Sequence, residues 1–398
     1  KVKSKEIFSD ENGMLSRYHD LVMYNLAASK AVYTDDNDVE IYADGKEYFR
    51  HLYEEIQNAK EFVHIQSYII KDDELWQALE ELLAKKVKEG VEVRILYDSM
   101  GCRKIRARDW ERIRSKGIYV GEFFPAFFKR LHLRVNYRNH RKIIIIDGTK
   151  AYVGGFNIGR EYLGLEKKFG YWRDTHLKIE GRGVYGLQTA FLTDWYATDC
   201  SLITSSRYYP EMGVSGDVLM QIVTSNPIGK CRNIMQGLLV TISSARKYLY
   251  IQTPYLLPSE PILLALKTAS LAGVDVRIMI PQNADTKLVH YASLSYIDEL
   301  LEAGVNIYMY KKGFLHAKLL VSDDVLSTVG STNMDFRSFE HNFEANAFMY
   351  DRCVAVTLKN TFISDQKNAL SLSVKNWRKR SWYQKSLESV IRLFAPLL

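Results

Sequence analysis

Segments typical of strands alternate with segments of helical periodicity along most of the chain. Residues 62–69 are rich in aromatic and β-branched side chains, which predicts a buried strand. Leu and Ala recur at helical spacing over residues 75–87, and residues 90–95 return to a strand pattern after a glycine. Strands and helices that alternate in this way are typical of βαβ units. The pattern therefore predicts an α/β fold.

The same order of elements occurs a second time in the chain. Residues 248–255 match residues 62–69 and align Gln252 with Gln66, and residues 262–278 match the helix and strand that follow. Two copies predict two α/β halves with mixed, largely parallel sheets, flanking helices and a site at their pseudo-twofold seam. We place the halves at residues 40–210 and 211–398. In the N-terminal segment, residues 1–39, we expect an amphipathic helix over residues 15–32 and a polar turn at residues 35–38.

A spaced set of polar residues lies at equivalent points of the two copies. His140 and His316 are each followed by Lys at +2, Asp at +7, Gly at +14 and Asn at +17. A single HxKx4D string is weak, whereas two copies with equal downstream spacing are a strong signal. The candidate residues are His140, Lys142, Asp147, Gly155 and Asn157 in the first half and His316, Lys318, Asp323, Ser331 and Asn333 in the second.

Strand geometry brings each histidine beside its lysine, because residues i and i+2 share one face. The small residues that end the next strand allow close backbone approach, and the asparagines lie near predicted helix starts, which favour anions. Two imidazoles, two ammonium groups and two amides at one seam predict a phosphodiester site. One histidine would attack phosphorus while the other protonates the leaving oxygen. The lysines, the asparagines and positions 155 and 331 would bind the phosphate, with no metal or other cofactor.

Each element of this set also has an ordinary explanation. A strand histidine is commonly a hydrogen-bonded core residue, a glycine pair a tight turn, and an asparagine after it a helix cap. Repetition of the whole set favours the functional interpretation. Asp147 and Asp323 belong to the candidate catalytic set, but we expect them to be structural because they fall beyond the strand that carries His and Lys.

Composition narrows the class of partner without choosing one. The 54 Lys and Arg exceed the 47 Asp and Glu, for a net charge of +7, which suits nucleic acid or an anionic membrane surface. The four cysteines lie far apart, which argues against zinc ribbons and disulfide scaffolds. No apolar run is long enough to span a bilayer, and the chain begins with Lys. We expect that an N-terminal segment able to hold a signal or membrane anchor has been removed.

Extra residues in the first half form an aromatic and basic segment before His140. If exposed, it would contact lipid headgroups, and the alternative is a partly buried loop over the site. The basic aromatic tail at residues 377–383 allows a similar choice between an interfacial segment and a solvated helix face. The candidate lipid contacts are Phe123, Phe124, Phe127, Phe128, Lys129 and Arg130.

Paired HxKx4D motifs with Gly-Gly or Gly-Ser and Asn downstream are the signature of the phospholipase D superfamily, which the chain resembles over most of its length. The strings at residues 139–142, 171–176, 251–255, 338–344 and 392–398 look more narrowly like those of bacterial cardiolipin synthases. This resemblance implies condensation of two phosphatidylglycerols to cardiolipin and glycerol without metal or nucleotide. It implies anionic membrane lipid as partner, no nucleic acid, and a place at the cytoplasmic face of a bacterial cell membrane.

The resemblance also implies roles for individual residues. His140 attacks and forms a phosphohistidine, and His316 protonates the leaving glycerol and then activates the second lipid, although the order could be reversed. Asp174 and Glu344 are candidates for the acids that orient histidine Nδ1, with Glu340 competing for the second place.

Three other classes of function stay open at this point. The same chemistry would serve a phospholipase D-type lipid hydrolase or a nuclease, and a non-enzymatic membrane scaffold is the alternative of another class.

Residues 181–186 match GxGxxG, but the helical and then Ser/Thr-rich chain that follows lacks the second strand and acid of a dinucleotide site.

Overall fold

The computed structural model of the protein describes residues 14–123, 136–199 and 201–395. Helices in these residues are all too short or too polar to span a membrane. Several helices begin at an aspartate whose side chain accepts backbone N–H groups, among them Asp73, which bonds to Leu75 N and Trp76 N at 3.1 and 3.2 Å. Such caps end the preceding extended segment and start the helix.

Strands and helices alternate in the first half as predicted. The N-terminal segment contains α1 (Met14–Arg17) and α2 (His19–Ser29), and β1 (Tyr33–Asp44) runs from it into the first half. The other elements of the first half are α3 (Gly45–Gln57), β2 (Phe62–Ser67), α4 (Glu74–Lys88), β3 (Glu92–Asp98), α5 (Ala107–Arg114), β4 (Tyr119–Phe123), β5 (Arg138–Asn139), β6 (Ile143–Ile146), β7 (Lys150–Gly154), a 3-10 helix (Arg160–Leu163), β8 (Tyr171–Glu180) and α6 (Gly183–Asp199).

The second half repeats this order with additions at its C-terminal end. A 3-10 helix (Ser206–Tyr208) ends the first half, and the elements of the second half are β9 (Val218–Ser225), α7 (Asn233–Ser244), β10 (Tyr248–Gln252), β11 (Leu256–Leu257), α8 (Glu260–Leu271), β12 (Asp275–Pro281), α9 (Lys287–Leu294), α10 (Ile297–Glu302), β13 (Asn306–Tyr310), β14 (Gly313–Leu315), β15 (Leu319–Ser322), β16 (Leu326–Gly330), β17 (Met334–Asp335), α11 (Phe336–Glu340), β18 (Asn342–Tyr350), α12 (Arg352–Gln366), β19 (Ala369–Ser371), α13 (Val374–Arg378) and α14 (Trp382–Arg392).

Each half has its own mixed sheet. The first runs β4-β3-β2-β6-β7-β8-β1 and the second β19-β13-β12-β10-β15-β16-β18-β9-β1, so that β1 borders both. The sheets are mixed as predicted, but their parallel part is smaller than expected. Within these two sheets it is confined to β2, β3 and β4 and to β10, β12 and β13, because the motif strands β6, β7 and β8 pair antiparallel with one another.

The registers of the two sheets confirm the internal repeat. Gln66 of β2 lies opposite Ile143 of β6, and Gln252 of β10 lies opposite Leu319 of β15. Ile143 and Leu319 are each three residues beyond the motif histidine. The alignment of Gln66 with Gln252 made from sequence is therefore also an alignment in space.

Two short strands cross from one half to the other. β5, just before His140, pairs in parallel with β18 of the second half, and β14, just before His316, pairs in parallel with β8 of the first. The first pairing sets Asn139 opposite Phe343, and the second sets Leu315 opposite Arg173. Each motif histidine is thereby delivered beside a strand of the other half.

A shared hydrophobic core joins the halves at this seam. It contains Ile143 and Val153 of the first half together with Leu319, Val329 and Ala345 of the second. Burial of both sets in one cluster favours a fixed arrangement of the halves. The predicted boundaries at residues 40, 210 and 211 stay predictions.

The described part of the N-terminal segment differs from the expectation. The predicted single helix is two helices, α1 and α2, and Leu21 and Val22 of α2 are buried in the core of the second half. Residues 35–38 lie inside strand β1 and form no turn. Pairing of β1 with two sheets overrides the local turn preference of Asp and Asn, and the Asn37 side chain donates to Val218 O at 2.9 Å.

Candidate active site

The two motif histidines line one cavity of about 470 Å³ between the halves. His140 precedes β6 and His316 precedes β15, so each stands at the start of a buried strand. Asn157 and Asn333 line the same cavity. The structure therefore brings together the histidines and asparagines that the repeated spacing singled out.

A carboxylate of the opposite half holds each histidine. His140 Nδ1 lies 2.9 and 3.1 Å from the two oxygens of Glu344, and His316 Nδ1 lies 2.6 Å from Asp174 Oδ2. Both acids are fully buried, on β18 and β8. Glu340, the competing candidate, forms an ion pair with Arg232 instead. With Nδ1 engaged, Nε2 of each ring is the nitrogen left for chemistry.

Gly155 and Ser331 position the two carboxylates that hold the histidines. A side chain at Gly155 would overlap Asp174, whose Oδ1 lies 1.8 Å from the place of a Cβ, and the Ser331 hydroxyl donates to Glu344. Their backbone N–H groups already bond to Thr175 O and Ala345 O, each at 3.0 Å. The prediction that these two residues bind phosphate is therefore corrected to one of positioning the carboxylates.

Each lysine lies against its own histidine, as expected from their shared strand face. Lys142 Nζ donates to His140 O at 2.7 Å, and Lys318 Nζ donates to His316 O and lies 2.8 Å from His316 Nδ1. Burial lowers the pKa of Lys142 to about 7 and that of Lys318 to about 8. Both ammonium groups are fully buried and do not line the cavity in this structure, so phosphate contact by the lysines stays a prediction.

Burial also determines the protonation state of the two histidines. It lowers the pKa of His140 and of His316 to about 4, against the opposing effect of the carboxylates. Burial alone would raise the pKa of Asp174 and Glu344, but the adjacent histidine and lysine outweigh it and lower both. At neutral pH both imidazoles are therefore uncharged and able to act as nucleophile or base.

The asparagines differ in their partners. Asn157 Oδ1 accepts from Ile69 N at 3.1 Å and its Nδ2 donates to Tyr162 OH at 2.8 Å. Asn333 Oδ1 is buried, with no hydrogen-bond partner among the described residues. Neither is a helix cap, since Gly159 precedes the 3-10 helix after Asn157, and α11 is capped by Asp335, which accepts from Ser338 N at 2.6 Å.

Asp147 and Asp323 are anchors outside the cavity, in keeping with the structural role expected from their position. Both adopt the left-handed backbone region, with φ of 53° and 57°. Asp147 accepts three N–H groups at the start of β2, and Asp323 accepts the equivalent three at the start of β10 from Arg246, Lys247 and Tyr248, at 2.8–2.9 Å. Their inclusion in the catalytic set is therefore corrected.

A pair of buried ionic clusters behind the motifs was missed in the sequence. Asp194 of α6 accepts from Arg141 at 2.6 Å, Gln66 at 2.6 Å and Asn139 at 2.9 Å. Asp365 of α12, its counterpart, accepts from Arg173 at 2.7 Å and Gln252 at 2.8 Å. The aligned glutamines were the available signal. These clusters fix the helix behind each sheet to the strands that carry the site.

The cavity walls break the pseudo-twofold symmetry. On the His140 side lie Arg138, Arg337 and Tyr68, whose ring centroid is 4.9 Å from that of His140. His316 instead faces the Trp172 ring at 5.2 Å. The residue four positions after the asparagine is Arg337 in the second half and Glu161 in the first.

Carboxylates line another part of this cavity. Glu161 pairs with Lys71 at 2.5 Å, and Asp285 accepts from Tyr255 OH at 2.6 Å. One cavity thus offers cationic donors and carboxylate acceptors in addition to the paired histidines.

Two further predictions concern residues near the site. Phe123 is buried, and its ring packs against Phe343 at 5.1 Å, so it is a core residue and the prediction of a lipid contact is wrong for this position. The other predicted lipid contacts, from Phe124 to Arg130, lie outside the described residues. Throughout residues 14–123, 136–199 and 201–395, no three His, Cys, Asp or Glu side chains are grouped to hold a metal ion.

The duplicated fold and the carboxylate-held histidines define an enzyme of the phospholipase D class. The sequence profile described as "Cardiolipin synthase, PLD-like domain" matches residues 52–172 and 238–366, one stretch in each half. The chain therefore belongs to the cardiolipin synthase family of phospholipase D-like enzymes, which confirms the resemblance inferred from its motifs.

Relatives of this chain include bacterial enzymes of that name. It is 46% identical over 396 residues to cardiolipin synthase 2 of Staphylococcus epidermidis, covering 99% of this chain and 81% of that protein. It is 44% identical over 381 residues to the major cardiolipin synthase ClsA of Bacillus subtilis, covering 95% and 79%. The crystal structure of phosphatidylserine synthase from Haemophilus influenzae has a similar fold, with a TM-score of 0.70 at 14% identity over 95% of this chain and 98% of that one. The predicted enzyme of phospholipid biosynthesis is thereby confirmed.

Proposed function

We propose that this enzyme condenses two phosphatidylglycerol molecules to cardiolipin and glycerol through a phosphohistidine intermediate. The observation that carries the proposal is the pair of histidines in one cavity, each held at Nδ1 by a buried acid of the other half. Paired imidazoles suit a double displacement, in which one group forms the covalent bond and the other moves protons.

In the first step, Nε2 of His140 attacks the phosphorus of one phosphatidylglycerol. The phosphorus–oxygen bond to glycerol breaks, and His316 gives its proton to the glycerol oxygen. In the second step, His316 takes the proton from a hydroxyl of the second phosphatidylglycerol, whose oxygen attacks phosphorus and breaks the bond to His140. Atoms balance as two phosphatidylglycerols in and one cardiolipin plus one glycerol out, with His316 returned to its protonated state.

The negative charge of the bound substrate explains how His316 becomes protonated before the first step. Two buried carboxylates and two buried lysines surround the neutral imidazoles of the free enzyme, and the lowered pKa of Lys142, about 7, leaves that lysine only partly charged at neutral pH. A bound phosphodiester adds one negative charge in a buried site and raises the histidine pKa. Substrate binding therefore favours the protonated form of His316, which is the general acid.

The cavity walls suit this substrate. Asp285 and Glu161 can accept hydrogen bonds from glycerol hydroxyls, and Arg138 and Arg337 can bind the phosphodiester of a second lipid. A phospholipase D-type hydrolase is the second candidate, and it differs only in the use of water in the second step. We further propose action at the cytoplasmic face of the bacterial membrane and no role for nucleic acid.

The test supplies the full chain with phosphatidylglycerol vesicles and a chelator, and measures cardiolipin and free glycerol. We expect both in equal amounts. Phosphatidic acid without cardiolipin would identify a hydrolase, loss of activity with the chelator would overturn the metal-free mechanism, and faster cleavage of an oligonucleotide would favour a nuclease. For the roles, His140→Asn should abolish the covalent phosphoprotein and His316→Asn should accumulate it. The opposite pattern would reverse the assignment.

A further inference from the structure

The C-terminal helix α14 has its apolar face turned away from the protein. Trp382 and Leu393 are 78% and 77% exposed and Tyr383 is 66% exposed, and the side chains of Val390 and Phe394 are also more than half exposed. At 100° per residue, these positions fall on one arc that otherwise holds only Ser386 and Ser389. The arc carries no charged side chain, and the described parts of the chain leave it uncovered.

Two of the three charged side chains of α14, Glu388 and Arg392, form ion pairs with other parts of the protein. Glu388 is buried and accepts from Arg380 at 2.6 Å, and Arg392 donates to Glu299 at 2.6 Å. Ile391 is buried between them in the core of the second half. A surface helix of a soluble domain has the reverse arrangement, with its apolar stripe toward the core. The orientation of α14 is thus fixed by ion pairs that leave its apolar face outward.

This apolar face borders the active-site cavity. Ala395, which follows Phe394 directly, lines the cavity, as does Val289 of α9, the helix against which α14 packs. Leu288 on α9 is exposed beside Val289. An object that covers the apolar face would therefore lie next to the cavity that contains the two histidines.

Cationic side chains lie beside this face. Residues 374–395 contain six Lys or Arg and one Glu. Arg378, Arg380 and Arg392 are ion-paired with Glu302, Glu388 and Glu299, and Lys375, Lys379 and Lys385 form no ion pair among the described residues. A contiguous apolar patch with aromatic residues and adjacent cations matches the headgroup region of an anionic bilayer. Under the proposed function, the substrate's acyl chains also lie in such a bilayer.

We infer that the outward face of α14 docks on an anionic lipid bilayer and sets the cavity next to the membrane surface. The choice of a lipid surface rests on the proposed function. Trp382 and Tyr383 lie at the headgroup level and Leu393 and Phe394 enter the acyl boundary, so that lipid headgroups reach the histidines while their chains stay in the bilayer.

The test compares two sets of substitutions in the full chain. The first is Trp382→Ser with Leu393→Ser and Phe394→Ser on α14. The matched control is Leu264→Ser with Leu271→Ser on α8, two leucines that are 60% and 73% exposed on one face of a helix that does not line the cavity. Equal melting temperatures of both variants and the wild type establish that the fold is kept.

We expect partition of the α14 variant to phosphatidylglycerol vesicles, measured by flotation, to be at least about tenfold weaker than that of the wild type and of the control. Cardiolipin formation from vesicles should fall in parallel, while turnover of a short-chain, monomeric phosphatidylglycerol stays within about twofold. Unchanged partition of the α14 variant, or an equal loss in the control, overturns the inference. Loss of a dimer in sedimentation, with partition unchanged, would make the face a contact between two copies and would also overturn it.

Failure of the proposed function has a different signature. A wild-type chain that binds vesicles through α14 but releases phosphatidic acid, or no product, contradicts the synthase proposal and leaves the docking surface in place. A chain that makes cardiolipin equally well with and without the α14 side chains contradicts docking and leaves the synthase proposal in place.

Discussion

Glu344→Gln tests whether the charge of the second half drives chemistry at the histidine of the first. The substitution keeps the size of the side chain and an oxygen that can accept from His140 Nδ1. It removes the negative charge that lies 2.9 Å from that nitrogen. With the amide oxygen at the place of Oε1, Asn342 can still donate to it, and the Ser331 hydroxyl, which faces Oε2, can accept from the amide nitrogen.

The size of the effect follows from that distance. Two unit charges at 2.9 Å attract by about 6 kcal/mol at an effective dielectric constant near 20. His140 carries only part of a positive charge in the transition state, and the amide dipole replaces part of the lost interaction. About half of the attraction, ~3 kcal/mol, is therefore lost, which corresponds to about a 100-fold slower step.

The assay is a single-turnover measurement of phosphohistidine formation by acid quench, with radiolabelled phosphatidylglycerol. Glu340→Gln is the matched control, because Glu340 lies four residues away and pairs with Arg232 outside the histidine contacts. We expect the control to keep the wild-type rate. A Glu344→Gln enzyme within threefold of the wild type would refute the argument, as would a larger loss in the control.

Other predictions concern protonation and stability. Burial holds the pKa of both histidines at about 4 in the free enzyme and a bound anion raises it, so binding of a phosphodiester at pH 7 should take up protons, and less so in His316→Asn than in the wild type. Calorimetry in buffers of different ionisation enthalpy measures this; equal uptake by both enzymes would contradict the protonation of His316, because Lys142, with a pKa of about 7, also takes up protons. Asp323→Asn should lower the free energy of unfolding by about 2–3 kcal/mol in urea, because three backbone N–H groups and Arg17 lose their charged partner, while kcat of the folded enzyme changes little; a large fall in kcat at full stability would restore a catalytic role. Arg141→Met should cost about 3–5 kcal/mol, since it leaves Asp194 buried without its cation, and a melting temperature equal to that of the wild type would exclude this.

The repeat and the close approach of the two histidines were predictable because both follow from the spacing of residues along the chain. Equal intervals from His140 and His316 to their glycines and asparagines fix equivalent strand positions, and the strand pattern around Gln66 and Gln252 aligns the sheets. The exchange of acids between halves was not predictable. It depends on β5 and β14, which are two and three residues long and carry no periodicity.

Tertiary context overrode local signals at the remaining positions. The composition of residues 35–38 predicted a turn, yet these residues lie in strand β1 because a sheet on each side supplies hydrogen-bond partners. For the aromatic segment that begins at Phe123 the sequence left exposure and partial burial open, and Phe343 of the other half covers the Phe123 ring. Arg141 and Asp194 are separated by 53 residues and differ from surface charges only in burial, which a single sequence does not encode.

The carboxylates exchanged between the halves constrain how this chain can diverge. A substitution at Asp174 disables the histidine of the other copy, so neither copy can decay while its duplicate is retained. A protein made of one copy alone would need a second identical chain to complete the site, and both walls of its cavity would then be the same. In one polypeptide the equivalent positions of the two copies can differ, as they do at Glu161 and Arg337. Under the proposed function, the two different walls can then hold two lipids with the same headgroup in separate roles, one as donor and one as acceptor, around a pair of histidines that is the same in both copies.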